Sequence, residues 1–264
     1  MENWKNRYGQ WAVVTGASSG LGADFARQLA QKGMDIVLIA RRKDRLNEVA
    51  DEIMNDHNVQ TKVIPVDLTL ENVVDEVADS VSDLEVGMLV NNAGFGLIGY
   101  FGVQDEQRQS QMVKLNCQIP VELTQKLIPQ MVERGKGGII FVASTAAFQA
   151  TPFFSVYGAT KGFNLLLGEA LWGEYRKKGI EVLALCPGYT ETEFQEVASI
   201  FGGSGMSIAK SPAVVRTALK NLGRVPSVVH GKLNWTMSFV QRFVSRKSVI
   251  KLSGAVMKKM GRKR

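Results

Sequence analysis

Six short apolar stretches alternate with longer stretches of helical periodicity between residues 11 and 188, and few folds accept such a string. "WAVVT" (11–15), "MDIVLIA" (34–40), "KVIPVDL" (62–68), "VGMLVNNAG" (86–94), "GGIIFVAS" (137–144) and "IEVLALCPG" (180–188) are nearly unbroken apolar runs rich in β-branched residues. A strand with one face in water alternates apolar with polar, so a continuous run needs both faces covered. The intervening segments, such as "ADFARQLAQKG" (23–33) and "RRKDRLNEVADEIMND" (41–56), carry apolar residues on one face. Buried strands between one-sided helices predict an α/β fold, a doubly wound parallel sheet of the Rossmann type.

The alternation fills one domain, residues 1–225, and leaves a C-terminal extension, 226–264, of different character. With 45% hydrophobic residues among 264, the chain has ample apolar mass for one large core. No apolar run reaches the ~18 residues a membrane span needs. The start, "MENWKNRYGQW", is polar and has no signal-peptide core. Cys117 and Cys186 lie far apart without metal-like spacing, so neither a disulfide framework, a zinc site nor any other metal is expected, and a reducing, cytoplasmic location is. His57 and His230 are the only histidines, which narrows the choice of catalytic base.

Between the first strand and the first helix stands "TGASSGLG" (15–22). Gly16 permits a tight turn, while Gly20 and Gly22 let backbone approach a pyrophosphate and let the helix pack close to the sheet. Ser18, Ser19 and Leu21 complete a loop whose following helix offers unpaired N–H groups to phosphate. The same letters, Gly16-Ala17-Ser18-Ser19-Gly20, also match the G-x-S-x-G elbow of serine hydrolases. That reading leaves Gly22 without a role and must draw its histidine from His57 or His230. At the end of the second strand, where a dinucleotide fold commonly places an acid on the ribose 2′-hydroxyl, the chain has Arg41 and Arg42. Guanidinium groups there bind a 2′-phosphate, so NADP(H) is expected over NAD(H).

Tyr157 and Lys161, in "SVYGATKGFN" (155–164), sit one helical turn apart and project from one face. With Gly16-x-x-x-Gly20-x-Gly22, Asn91-Asn92-Ala93-Gly94, Ser144 and Tyr157-x-x-x-Lys161 in order, residues 8–196 resemble the short-chain dehydrogenase/reductase superfamily. "WAVVTGASSGLG", "IVLIARR" and the extended C-terminus are similar to its branch of fatty-acyl and steroid ketoreductases. The resemblance implies that Asp67 and Leu68 contact the adenine, that Asn92, Ala93 and Gly94 line the adenosine ribose, and that Asn91 braces neighbouring strands. It implies Ser144, Tyr157 and Lys161 as a catalytic triad with Asn116 as fourth member, acting through a kinked helix and a water. Pro187, Gly188, Thr190 and Thr192, in "CPGYTET", are implied to hold the nicotinamide carboxamide. A homodimer or homotetramer through helices 105–131 and 155–177 is implied as well. Tyrosine's ordinary pKa of about 10 is high for a catalyst at neutral pH, so a nearby ammonium that favours the phenolate is expected to lower it.

These expectations converge on an NADP(H)-dependent oxidoreductase that moves hydride between nicotinamide and a ketone or secondary alcohol on an apolar substrate. A non-catalytic NADPH sensor and a serine hydrolase are the alternatives. Phe95, Phe148, Phe153, Phe154, Tyr189 and segment 194–206 are the expected pocket lining, and "GGSGMSIAKSP" (202–212) has the composition of a lid.

The net charge of +7 is unevenly placed. Residues 1–196 hold 18 Lys and Arg against all 25 Asp and Glu, while residues 197–264 hold the other 14 basic residues and no acid. Within the extension Trp235, Phe239 and Phe243 recur every four residues beside Val240 and Val244, and Val249, Leu252, Val256 and Met260 continue an apolar stripe. One apolar and one basic face suit peripheral contact with an anionic membrane, or an acyl carrier, with nucleic acid not expected. The alternative is that the stripe packs on the domain or on a sister subunit.

Overall fold

A computed structural model describes residues 4–198 and 208–260. After a short helix α1 (Trp4–Tyr8), β1 (Trp11–Thr15), α2 (Gly20–Gln31), β2 (Asp35–Ala40), α3 (Lys43–His57), β3 (Thr61–Pro65), α4 (Val73–Ser80) and β4 (Val86–Asn91) follow in strict alternation. Helix α5 (Glu106–Val113) runs through a π-helical turn, Lys114–Gln118, into α6 (Ile119–Arg134). Then come β5 (Gly137–Val142), α7 (Ser155–Tyr175) and β6 (Ile180–Cys186). Two-residue strands β7 (Thr190–Glu191) and β8 (Ala209–Lys210) pair with each other, with the short α8 (Phe194–Val197) between them and α9 (Ser211–Asn221) after. The chain ends in β9 (Ser227–Val229), α10 (Lys232–Val240) and α11 (Arg246–Met260).

Seven strands form one parallel sheet in the order β3-β2-β1-β4-β5-β6-β9. Alternate side chains of each strand enter opposite cores. Ala12, Val14, Ile36 and Leu38 pack with Phe25, Leu29, Leu46 and Val214 on one face; Val13, Val37 and Ile39 pack with Val77, Leu123 and Leu127 on the other. Each such aliphatic side chain taken from water contributes about 1.5–3 kcal/mol, which is why the strands carry no polar face. Because the strand order reverses between β1 and β4, the loops at their carboxyl ends diverge and leave a crevice, the usual ligand position in open α/β sheets.

The alternation identified the first six strands to within a few residues, but not β9. Ser227–Val229 lies beyond the division at 225 and extends the sheet, with Ala184 opposite Ser227. Three half-buried residues after a proline carry too little periodicity to be read as a strand; pairing with β6 makes them one. Residues 202–207 of the expected lid lie outside the described residues, while 211 and 212 open α9.

Candidate functional site

The loops at the carboxyl ends of β1, β2, β4, β5 and β6 enclose a cavity of about 1230 Å³. Of the residues expected to bind cofactor or catalyse, all but Gly22 and Asn116 line it. Gly22 sits beneath the turn: a Cβ there would overlap the Gly16 carbonyl oxygen and approach Asn92 Nδ2 to 2.6 Å. Gly16 itself has φ +67°, a left-handed conformation that favours glycine. The turn therefore needs glycine for two separate reasons, close approach and handedness.

Asn92 locks this turn to the sheet. Its Nδ2 donates to the Thr15 carbonyl oxygen at 2.8 Å and its backbone N–H to Thr15 Oγ1 at 3.0 Å. Thr15 Oγ1 in turn donates to the Val90 carbonyl oxygen at 3.1 Å. Asn91 faces the other way, donating to Thr124 Oγ1 of α6, so it ties β4 to a helix rather than strand to strand. Arg42 is the basic residue that reaches the glycine turn, with Nη2 at 3.2 Å from Ser18 Oγ and 2.9 Å from Ser19 Oγ. Arg41 stands at the exposed rim of the cavity, its side chain 76% exposed, with Asp67 at 3.8 Å. Glycine backbone, two hydroxyls and two guanidinium groups fit a dinucleotide carrying an extra phosphate.

At the other end of the cavity Tyr157 and Lys161 are buried on α7. Phe154 stacks on the Tyr157 ring at 4.2 Å and Phe194 tilts against it at 5.3 Å. Lys161 Nζ donates to the Val142 carbonyl oxygen at 2.7 Å and lies 5.7 Å from the Tyr157 ring centroid. Burial pushes the phenol up to about 12, an effect the Ser144 hydroxyl only partly offsets, and burial pushes the ammonium down to about 8. Removal from water, rather than the ammonium's field on the phenol expected from the sequence, is the largest influence on both groups. Ser144 stands at the end of β5 with its Oγ accepting the Ala146 N–H at 3.1 Å.

Asn116 is fully buried in the π-helical turn. Its side chain accepts from Phe95 N–H and donates to the Phe95 carbonyl oxygen and to Thr160 Oγ1. The expected helix 105–131 is thus interrupted where Asn116 must turn inward, the usual association of π-turns with functional positions. Gly94 lies between Asn116 and Lys161: a Cβ there would meet Asn116 Oδ1 at 2.7 Å and Lys161 Nζ at 3.7 Å. Gly158 makes room for Thr151 Oγ1, and Gly162 has only an ordinary contact with the Ala147 carbonyl.

Phe95, Phe154 and Tyr189 line the cavity as expected, and Phe194 does so from the segment 194–206, of which 199–206 lie outside the described residues. Phe148 instead packs with Leu165 and Cys186, and Phe153 pairs edge-on with Tyr100. The hydrolase arrangement does not assemble: Ser18 Oγ is engaged by Arg42, and His230 Nδ1 pairs with Thr217 Oγ1 at 2.8 Å. Both cysteines are unpaired, and among the described residues no cluster suits a metal ion.

The C-terminal helices supply the remaining wall. A side chain at Gly188 would run into Asn234 of α10, so α10 rests directly on the loop after β6. Helix α11 is pinned by Ser253 Oγ, which donates to the Ala150 carbonyl oxygen at 2.8 Å, and by Gly254 against Pro152. Val240, Val244, Val249, Leu252 and Val256 face the cavity, joined by Met257. Trp235, Phe239 and Phe243 instead stack along an exposed edge, with successive centroids 5.5 Å apart. The single stripe read from sequence is thus two faces: within α10 Val240 already lies on the cavity while Trp235 and Phe239 are exposed, and α11 joins the cavity side after a break at residues 241–245. No motif pointed to Asn234 or Met257 as site residues; the packing of α10 and α11 on the cavity brings them there.

Among proteins of known structure, a short-chain dehydrogenase from Sphingobium yanoikuyae in complex with NADPH is 31% identical, covering 89% of this chain and 94% of that one, with a TM-score of 0.79. A 7β-hydroxysteroid dehydrogenase superimposes with a TM-score of 0.88 over 96% of this chain and 99% of that one; at 24% identity it speaks for the fold alone. The very-long-chain 3-oxoacyl-CoA reductase of Macaca fascicularis is 32% identical over 255 residues, 94% of this chain and 80% of that protein. The family model of short chain dehydrogenases matches residues 10–200. The chain is an oxidoreductase and belongs to the short-chain dehydrogenase family.

Proposed function

We propose that this protein reduces the carbonyl of a large apolar substrate with NADPH, and that Tyr157 supplies the proton. The observation that carries the reading is the group of buried Tyr157 and Lys161 with half-buried Ser144 at one end of a cavity whose other end is a glycine turn bearing Ser18 and Ser19, with Arg42 beside them. NADPH supplies the hydride when bound. Gly16, Gly20 and the start of α2 receive its phosphates; Arg41 and Arg42 recognise the 2′-phosphate; Asp67, Leu68, Asn92, Ala93 and Gly94 line the adenosine side. Pro187, Gly188, Thr190 and Thr192 hold the nicotinamide side, Ser144 orients the carbonyl oxygen, and Lys161 orients the ribose and stabilises negative charge on the phenolic oxygen after proton transfer. Asn116 holds the loop at Phe95 and the turn at Thr160 in register with Lys161.

Substrate class follows from the outer wall, where Phe95, Phe154, Phe194 and the valines of α10 and α11 present apolar surface. A bulky ketone, such as a steroid or a long 3-oxoacyl thioester, fits that wall. Screening such compounds for NADPH oxidation, against short-chain aldehydes of equal reactivity, tests it; preference for the short compounds would refute the reading.

The exposed edge Trp235–Phe239–Phe243 lies on a segment with ten basic residues and no acid between 231 and 264. That pairing supports peripheral contact with an anionic bilayer, each basic residue near the surface contributing about 1 kcal/mol. An isologous contact between two copies of this face would oppose like charges, so a second copy is the poorer occupant. Among the described residues no helix is long and apolar enough to cross a membrane. Self-association belongs instead to α5 and α7, where Val113, Phe163 and Leu166 are exposed. Co-sedimentation with anionic and zwitterionic vesicles tests the first contact, and light scattering of the same samples tests the second.

A further inference from the structure

Glu193 belongs to none of the motifs discussed above, yet its carboxylate lies in the middle of the proposed phosphate cradle. Its Oε2 is 2.7 Å from Arg42 Nη2, the same nitrogen that reaches Ser18 Oγ at 3.2 Å and Ser19 Oγ at 2.9 Å. The guanidinium holds this carboxyl below the usual range, with a smaller contribution from the Ser19 hydroxyl. Its neighbours tie the cradle to the opposite end of the cavity. Thr192 packs over the glycine turn, where a Cβ on Gly20 would meet its Cγ2 at 2.8 Å. Phe194 lies 5.3 Å from the Tyr157 ring. Three consecutive residues therefore touch the glycine turn, the 2′-phosphate arginine and the ring of the proposed proton donor.

We infer that Glu193 is a cofactor-sensing residue that occupies the anion cradle until a 2′-phosphate displaces it, freeing the 193–198 segment. The inference rests on the NADP(H) reading of Arg42. One guanidinium flanked by two hydroxyls accommodates one anion closely; a phosphate and a carboxylate on the same nitrogen repel one another. The carboxylate thus imposes a conformational tax on NADPH that NADH, lacking the phosphate, does not meet. Both partners of the pair are nearly half exposed, so the tax is a small multiple rather than orders of magnitude.

The test is Glu193→Gln, which keeps shape and removes charge, with binding read by fluorescence titration and segment mobility by hydrogen exchange. The expected result is NADPH binding tightened about fivefold with NADH binding unchanged. In the wild type NADPH should raise exchange in 193–198 more than NADH does, and the variant should show the raised exchange with no nucleotide present. NADPH binding weakened in the variant would overturn the inference, because Glu193 would then be a strap closing over the cofactor. Equal, unchanged affinities for both nucleotides would also overturn it, leaving a solvated ion pair. Wild-type protein that binds NADH more tightly than NADPH, with Arg42→Ala leaving both unchanged, would instead remove the cofactor reading beneath it.

Discussion

The two walls of the cavity are built on different principles. The wall proposed to hold the cofactor is continuous with the sheet: Thr15, Asn92 and Val90 are cross-bonded within a few ångströms of the glycine turn. The outer wall is two helices held by few contacts, with Ser238 the sole buried residue of α10. A common cofactor needs one fixed geometry, and backbone locked into a sheet supplies it. A variable substrate needs shape and apolar area, which a loosely attached helix pair provides at the low-stability end of the fold.

The contrast is broken most sharply at Tyr157. Replacing it with Phe should lower the rate of reduction about 10³-fold while changing NADPH affinity by less than about twofold, as a phenol proposed to act in proton transfer more than in binding requires. Stopped-flow NADPH oxidation and a parallel binding titration measure the two numbers. Activity within tenfold of wild type would place the proton donor elsewhere.

Truncation after Gly231 keeps β9 and removes both helices. It should reduce kcat/KM for a bulky ketone by about 10- to 100-fold, as expected for losing one to three kcal/mol of apolar contact, and leave that for a small aldehyde nearly unchanged. NADPH affinity should hold within about twofold. If the truncated protein instead loses the cofactor, the walls are not independent and α10 supports the loop at Gly188.

Within the cofactor wall, Arg42→Ala should weaken NADPH binding about tenfold and Arg41→Ala about threefold, with NADH little affected by either. One charge-assisted contact is worth roughly 1.5–3 kcal/mol, and the more exposed arginine realises less of it. Equal effects would mean that Arg41 turns inward when the phosphate arrives.

The smallest effect is on pH dependence. Burial lowers Lys161 to about 8, so its charge is present below that pH and is lost as pH rises through it; the phenol, at about 12, remains protonated throughout. The rate of reduction should therefore be flat below pH 8 and fall by severalfold above it, following a single group. A profile that rises over that interval would show that the neutral amine is the competent form.

Most of the fold was legible because its information is local. Runs such as "DIVLIA" must be buried on both faces, whichever neighbours cover them, and "TGASSGLG" must turn wherever it stands. Tyr157 and Lys161 were legible for the same reason, since four residues on a helix bring two side chains to one face. Asn116 was legible as a position through family resemblance, while the π-helical turn that directs it inward came from the structure.

What the amino-acid sequence determined by itself was the alternation that makes the parallel sheet, the glycine turn, the helix that carries Tyr157 and Lys161 on one face, and the charge asymmetry, all of which follow from local spacing or from composition. Tertiary structure decided the rest: that Ser227–Val229 is a strand, that Arg42 rather than Arg41 meets the serines, that Glu193 lies in the cradle, and that the C-terminal stripe divides between cavity and exposed edge. The physical reason is the same in each case. A partner 43 residues away, as for Ala184 and Ser227, or 151 away, as for Arg42 and Glu193, depends on how whole elements pack, and no local period records how α10 and α11 lie on the cavity or how the loop after β6 crosses the glycine turn.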